Sequence, residues 1–308
     1  MRIVFFGTPE FAVPTLDAVE RAHEVVLVVA QPDKPAGRGM HVQPPAIAVR
    51  ARELGLPLLR PAKIRAPEFL ESVKATRPDA GVVIAYWKIL PAALLEIPKH
   101  GFINVHASLL PKYRGAAPIQ RAIEAGETET GVTIMRVDEE LDHGPALSVA
   151  KLEIGPDERT PSLARRLAEL GAGAIIPVLS EIERGTAMEV QQDHAHATLA
   201  PKIAKQEGAI HWDDSATAIY NRFRAFDPWP GVFFDWHGET IKVTNIASAG
   251  LEPSKPVGTL LSLDPAGVTI ATAGGAIRIL ELQRAGKVRA AAADVARGLG
   301  WRAGERLQ

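Results

Sequence analysis

Residues 1–30, MRIVFFGTPEFAVPTLDAVERAHEVVLVVA, decide how the chain is read. Arg2 to Phe6 is an apolar run of strand length. Gly7-Thr8-Pro9 breaks it, with Thr8 placed to cap a helix and Pro9 suited to a first helical position. Phe11, Ala12, Leu16 and Val19 then recur at helical spacing. Val25 to Ala30 is a Val-rich run between polar turns, the pattern of a buried parallel strand. Strand, helix, strand is how an open α/β sheet begins.

Outward from this stretch the same grammar continues. Pro45 to Leu54, Pro67 to Thr76 and Gly115 to Glu124 read as helices. Pro57 to Leu59, Ala80 to Tyr86 and Phe102 to His106 read as strands. Gly131 to Asp138 and Ala146 to Ile154 alternate like a pair of strands, and Thr160 to Arg184 is a long helical pattern. Residues 31–45, QPDKPAGRGMHVQPP, form a Pro/Gly-rich loop whose composition argues against regular structure. The expected architecture over 1–188 is α/β: a Rossmann-like, open, mostly parallel sheet.

The texture changes at 189–206, which is polar and weakly periodic and reads as a linker. One helix, Ala216 to Ala225, opens the region 207–308. Short strands with Gly-rich turns follow: Gly231 to Trp236, Thr240 to Asn245, Gly258 to Leu263, Gly267 to Ala271 and Ala276 to Leu282. Five such strands suggest a small, OB-fold-like β-barrel.

Bulk composition excludes more than it assigns. The chain has 308 residues, 46% apolar and 23% charged, with a net charge of −1. That is ordinary for a soluble protein of two domains, and no global field marks a polyanionic partner. There are no cysteines, so disulfides and thiolate metal sites are out, in keeping with a cytoplasmic protein. No stretch approaches the length of a membrane span, and the apolar start is too short for a signal peptide. Gly7-Thr-Pro-Glu-Phe-Ala12 is not a dinucleotide fingerprint, and there is no P-loop, no H-E-x-x-H and no nucleophile elbow. His194-Ala-His196 is a poor metal site, so no metal is expected.

The segment that carries chemistry is Ile103-Asn-Val-His-Ala-Ser-Leu-Leu-Pro111. Asn104 and His106 sit two apart on a strand and so share a face. They lie at its C-terminal end, the edge where open α/β sheets bind ligands. Asp142 lies in a polar turn after another strand. An amide, an imidazole and a carboxylate suit acyl transfer to an amine. An Asn amide and a protonated His both donate to a developing oxyanion. A carboxylate takes the proton shed by the amine. Spacing alone leaves a plainer reading open, since Asn-x-His at a strand end and Asp-x-Gly are also ordinary hydrogen-bonded turns.

The stretch 103–121, INVHASLLPKYRGAAPIQR, resembles the signature of the folate-dependent formyltransferases. GTPEFA at 7–12, QPDKPAGRG at 31–39, AYWKILP at 85–91, ETGVTIM at 129–135, LDHG at 141–144 and FDPWPG at 226–231 resemble the same family, in order, and especially its tRNA-acting members. The resemblance implies a catalytic domain over 1–188 and a tRNA-binding β-barrel over 207–308. It implies 10-formyltetrahydrofolate as formyl donor and initiator methionyl-tRNA as acceptor, in translation initiation, with the enzyme a monomer. Asn104, His106 and Asp142 match the family's catalytic trio. Ser108, Leu109, Leu110 and Pro111 match its folate-contacting loop. Lys88, Ile89, Leu90 and Val137 match the walls of its pterin pocket. Residues 31–45 match a loop that enters the tRNA acceptor stem, with Lys34 and Arg38 as phosphate contacts, and Lys112 and Arg114 flank the active-site loop toward the acceptor end.

The chain also departs from the pattern. Trp87 stands where the family has Gly, Lys88 where it has Gly or Gln, Ala107 where it has Gly, and His143 where it has Thr or Gly. A Trp beside the pterin pocket either narrows it or points outward. Met40 and His41 replace basic residues found in many relatives, which weakens phosphate contact. Residues 284–308 hold six basic residues against two acidic, a local patch compatible with RNA. Two other readings are weighed: formylation of a small amine such as an amino sugar or nucleotide, and a non-catalytic RNA-binding relative. The FDPWPG segment and β-rich tail count against the first, and the intact trio against the second.

Overall fold

The computed structural model describes residues 1–36, 41–250 and 255–307, with the backbone alone at 34–36 and 41–42. Two compact units divide it. The first comprises Met1–Pro118, Glu129–Ile154 and Ser162–Pro201, and the second Ile119–Thr128, Gly155–Pro161 and Lys202–Gln308.

In chain order the first unit starts with β1 (Arg2–Gly7), α1 (Val13–Ala22) and β2 (Glu24–Val29). β3 (Lys34–Ala36), β4 (His41–Gln43), α2 (Ala46–Glu53), β5 (Leu58–Leu59), α3 (Pro67–Ala75), β6 (Ala80–Ile84), α4 (Ala92–Leu95) and β7 (Phe102–His106) follow. Then come β8 (Arg114–Gly115), α5 (Pro118–Glu124, which from Ile119 on belongs to the second unit), β9 (Glu129–Arg136), β10 (Ala146–Glu153), α6 (Thr160–Arg184) and β11 (Leu199–Ala200). Seven strands form one sheet in the order β10-β9-β7-β6-β1-β2-β5. β1, β2, β5, β6 and β7 run parallel, while β9 and β10 add an antiparallel edge. This is the open, mostly parallel sheet that the apolar runs predict.

Aromatic rings fix one face of the sheet. Phe6 of β1 meets Tyr86 at 5.1 Å and Phe102 of β7 at 5.3 Å, both edge-on, with Phe69 of α3 at 6.4 Å. Such pairs add about 0.5–1.5 kcal/mol each beyond the area they bury. On the other face α6 crosses β7 at Gly171, where a Cβ would come within 2.7 Å of Val105. That glycine lets the helix lie close enough to pack.

Three local expectations need correction. Thr8 caps no helix: Glu10–Ala12 forms a 3₁₀ turn and α1 begins at Val13. Pro14, not Pro9, takes the first helical turn, where its missing N–H costs nothing. Within 31–45, expected to be irregular, β3 and β4 pair antiparallel from Lys34↔Gln43 to Ala36↔His41. A two-stranded ladder has only edges, so Pro35 is tolerated there. The helix expected from Gly115 starts at Pro118, because Arg114 and Gly115 pair with Leu199 and Ala200 instead.

The second unit holds α7 (Ala216–Ala225), β12 (Val232–Trp236), β13 (Glu239–Ser248), β14 (Leu260–Asp264), β15 (Gly267–Thr272), β16 (Gly275–Arg284), β17 (Ala290–Ala291) and α8 (Ala292–Gly298). Its sheet is antiparallel, ordered β12-β13-β16-β15-β14, with β17 on β16. Ile219 and Phe223 of α7, Ala292 and Ala296 of α8, and Trp301 join the strand residues in one core. α8 escapes a reading of charge alone, yet its Ala-rich sequence is that of a strong helix former.

Candidate active site

β7 delivers the site. Phe102, Asn104 and His106 alternate onto one face: Phe102 enters the core, and the two polar residues emerge as the strand ends. Asp142 reaches them from the turn between β9 and β10. Its Oδ1 accepts from Asn104 Nδ2 at 3.4 Å, and its Oδ2 accepts from the Gly115 N–H at 2.8 Å. His106 Nδ1 faces the same Oδ2 at 3.6 Å, with side-chain exposures of 6% and 14%. His106 Nε2 lies 2.9 Å from the Tyr113 carbonyl oxygen. A carbonyl only accepts, so Nε2 carries the proton and donates it there. The three residues read from sequence therefore meet in one cluster, two on β7 and one on the turn that joins β9 to β10.

The loop between β7 and β8 is held by groups that sequence reading passed over. Thr133 of β9 is fully buried opposite His106 in the ladder. Its hydroxyl donates to the Ser108 carbonyl at 2.7 Å and accepts from the Leu110 N–H at 3.1 Å. The Ser108 hydroxyl donates to the Lys112 carbonyl at 2.6 Å, and Ser108 itself has no exposed surface. Leu109, Leu110 and Pro111 are half-buried and Lys112 is exposed. Among β-branched neighbours Thr133 reads simply as strand, so its sequence carries no separate signal.

Arg114 is placed otherwise than its charge suggests. Expected to face the acceptor end of a tRNA, it is buried, 9% exposed. Its guanidinium donates to Gln192 Oε1 at 2.6 and 3.2 Å and lies 2.8 Å from His194 Nδ1. Gln192 falls in the segment expected to be a linker. That segment makes contacts of its own with the first unit: Val190 bridges Ala146, and Leu199–Ala200 extends β8. His143 stacks on His194 at 4.1 Å and places Nδ1 2.8 Å from Asp138 Oδ2. His196 sits 2.8 Å from Asp193. Among the described residues no group of three or more such side chains gathers as a metal site.

A family model described as formyl transferase matches residues 1–179, and one described as formyl transferase, C-terminal domain, matches residues 202–300. Methionyl-tRNA formyltransferase of Thermus thermophilus is 46% identical over 308 residues, spanning 100% of this chain and 99% of that relative. The chain belongs to the methionyl-tRNA formyltransferase family. Solved structures agree on the fold of this formyltransferase. HypX from Aquifex aeolicus in complex with tetrahydrofolic acid aligns with a TM-score of 0.63 at 20% identity, over 96% of this chain and 47% of that one. An N-formyltransferase from Helicobacter canadensis, with folinic acid and dTDP-3-aminofucose, gives 0.69 at 17% identity, over 92% and 99%.

The remaining expected residues of this formyltransferase lie at the ends of β6 and β9. Trp87 adopts φ 62° and is 64% exposed, so it does not fill the fold. Left-handed backbone there explains why the family pattern has glycine. Lys88 donates to the Ala62 carbonyl at 3.0 Å, Leu90 is buried and Ile89 is 68% exposed. The Val137 N–H donates to the Phe102 carbonyl at 2.9 Å, tying this wall to β7. Lys34 has no described side chain, and Arg38 lies outside the described residues.

Proposed function

We propose that this chain transfers the formyl group of 10-formyltetrahydrofolate to the amino group of methionine on initiator tRNA. The meeting of Asn104, His106 and Asp142 at the end of β7 carries this reading. The amine nitrogen attacks the formyl carbon, and the carbonyl oxygen becomes an oxyanion. Asn104 Nδ2 has a second hydrogen beyond the one given to Asp142, and it donates to that oxyanion. His106 adds a donor when its Nε2–H turns from the Tyr113 carbonyl. One such donor typically supplies ~3–4 kcal/mol of barrier stabilisation. Asp142 accepts the proton the amine sheds. The intermediate collapses by breaking the bond from carbon to N10, N10 takes up a proton, and tetrahydrofolate leaves. No bond to the protein forms.

In this reading the folate lies along Ser108, Leu109, Leu110 and Pro111 and against Lys88, Ile89, Leu90 and Val137. Exposed apolar surface at Ile89 and Leu141 supports a flat, apolar ligand there. A folate bound to the similarly folded HypX is consistent with it. Because Ser108 is buried, the loop touches the folate through Leu109, Leu110 and Pro111; because Arg114 is buried, Lys112, Lys34 and Arg38 are the cations left to meet the tRNA in this reading. The second unit takes the tRNA body, and the chain works as a cytoplasmic monomer.

The test is formylation of radiolabelled methionyl-initiator tRNA, run beside methionyl-elongator tRNA and a dTDP-amino sugar. Product on the initiator species, with little on the others, is the expected result. Equal rates on the amino sugar would overturn the choice of acceptor.

A further inference from the structure

Asp142 adopts φ 48°, a left-handed backbone unusual for a residue with a side chain. Something must hold it there. Gln192 Nε2 donates to the Asp142 carbonyl at 2.9 Å and to the Gly144 carbonyl at 2.7 Å. Its Oε1 accepts twice from Arg114. This side chain is 7% exposed, and every hydrogen-bonding position of its amide is used. The dipeptide Arg114-Gly115 thus grips Asp142 at both ends. The Gly115 N–H holds the carboxylate, and the Arg114 guanidinium, through Gln192, holds the backbone.

We propose that Gln192 is a positioning residue of the transfer step, which keeps the Asp142 carboxylate beside Asn104 and His106. It touches no reacting atom and acts only through Asp142. The proposal rests on the reading of Asp142 as proton acceptor. A conserved-volume amide is needed because a glutamate would set charge against two carbonyl oxygens, and a methionine would leave both carbonyls unpaired.

Gln192→Glu keeps a partner for Arg114 and loses both donors; Gln192→Met keeps the length and loses all four bonds. Single-turnover formylation of methionyl-initiator tRNA is measured for both, alone and with Asp142→Asn. Each is expected to lower kcat by roughly 10- to 100-fold, the scale of an ångström-sized misplacement. KM for tRNA and folate stays within about twofold, as for a loss confined to the transition state. In the Asp142→Asn background the same changes cost less than about twofold, since the group they position has gone. Unchanged kcat in both variants, or the full loss repeated in the Asp142→Asn background, overturns the role of Gln192 while leaving the reading of Asp142 intact. A wild-type rate for Asp142→Asn alone overturns both.

Discussion

Replacing Gly115 by alanine tests how the carboxylate is held. Gly115 has φ 123°, outside the range that side-chain-bearing residues accept, and an added Cβ would stand 2.8 Å from the Ala200 carbonyl oxygen. That oxygen is backbone, accepts from the Ala117 N–H at 3.1 Å, and cannot turn aside as a side chain could. Backbone strain of this kind costs on the order of 1–3 kcal/mol. To relieve it the Gly115 nitrogen must move, and its N–H is what holds Asp142 Oδ2 at 2.8 Å. A hydrogen bond to a charged group contributes about 1.5–3 kcal/mol. If that bond is lost in the transition state, kcat falls by roughly 10- to 100-fold, at about 1.4 kcal/mol per tenfold. Thermal unfolding of the first unit should move down as well. Steady-state formylation and a melting curve on the same preparation give both numbers. A Gly115→Ala enzyme that melts early yet keeps kcat within about twofold would refute the reasoning. It would mean that the N–H supports the fold and does not place the carboxylate.

Three further outcomes are expected. Asn104→Ala should reduce kcat by about 10²–10³-fold with little change in KM, the signature of a donor used only in the transition state; a KM effect alone would assign Asn104 to substrate binding. The Tyr86 hydroxyl is buried without a partner among the described residues, so Tyr86→Phe should leave stability unchanged or raise it by about 1 kcal/mol in urea titrations. Burial pushes this phenol above its ordinary value, so its contribution is present below that value and lost as pH rises; the variant should therefore lose less stability than the parent on the alkaline side. Arg121 holds both Glu124 and Glu207 at 2.7 Å and keeps the Glu207 carboxyl below its ordinary range. Stability from that pair is present above the usual glutamate value and lost as pH falls, so Arg121→Met should flatten the acid limb of a stability–pH curve.

How much of this was legible depends on whether the controlling contact is local. β7 and α6 were read with their observed bounds because apolar periodicity is a property of neighbours in sequence. Asn104 and His106 share a face by the same rule. Asp142 was placed by the wording of a turn and by family resemblance, since no local pattern says which strand end it will meet. The burial of Arg114 is not legible for a physical reason: a cation reads as solvated unless its partner is visible, and here the partner is an amide 78 residues away. Gln192 was hidden twice over. A glutamine in a polar stretch carries no periodic signal, and the atoms it binds are backbone carbonyls, which every residue possesses. The same holds for the Gly115 N–H and the Tyr113 carbonyl. Substitution patterns centred on charged and aromatic residues would pass over all of these. The backbone shows the demand they answer, since Asp142 has φ 48°. A non-glycine residue at Asp142 must hold a left-handed backbone and an oriented carboxylate together, so the carbonyl behind it and the oxygen before it both need donors. The Gly115 N–H donates to the carboxylate, and Gln192 Nε2, itself held by Arg114, donates to the carbonyl. The end of the loop, and not only its start at Asn104 and His106, therefore holds the Asp142 carboxylate to which the proposed mechanism gives the proton.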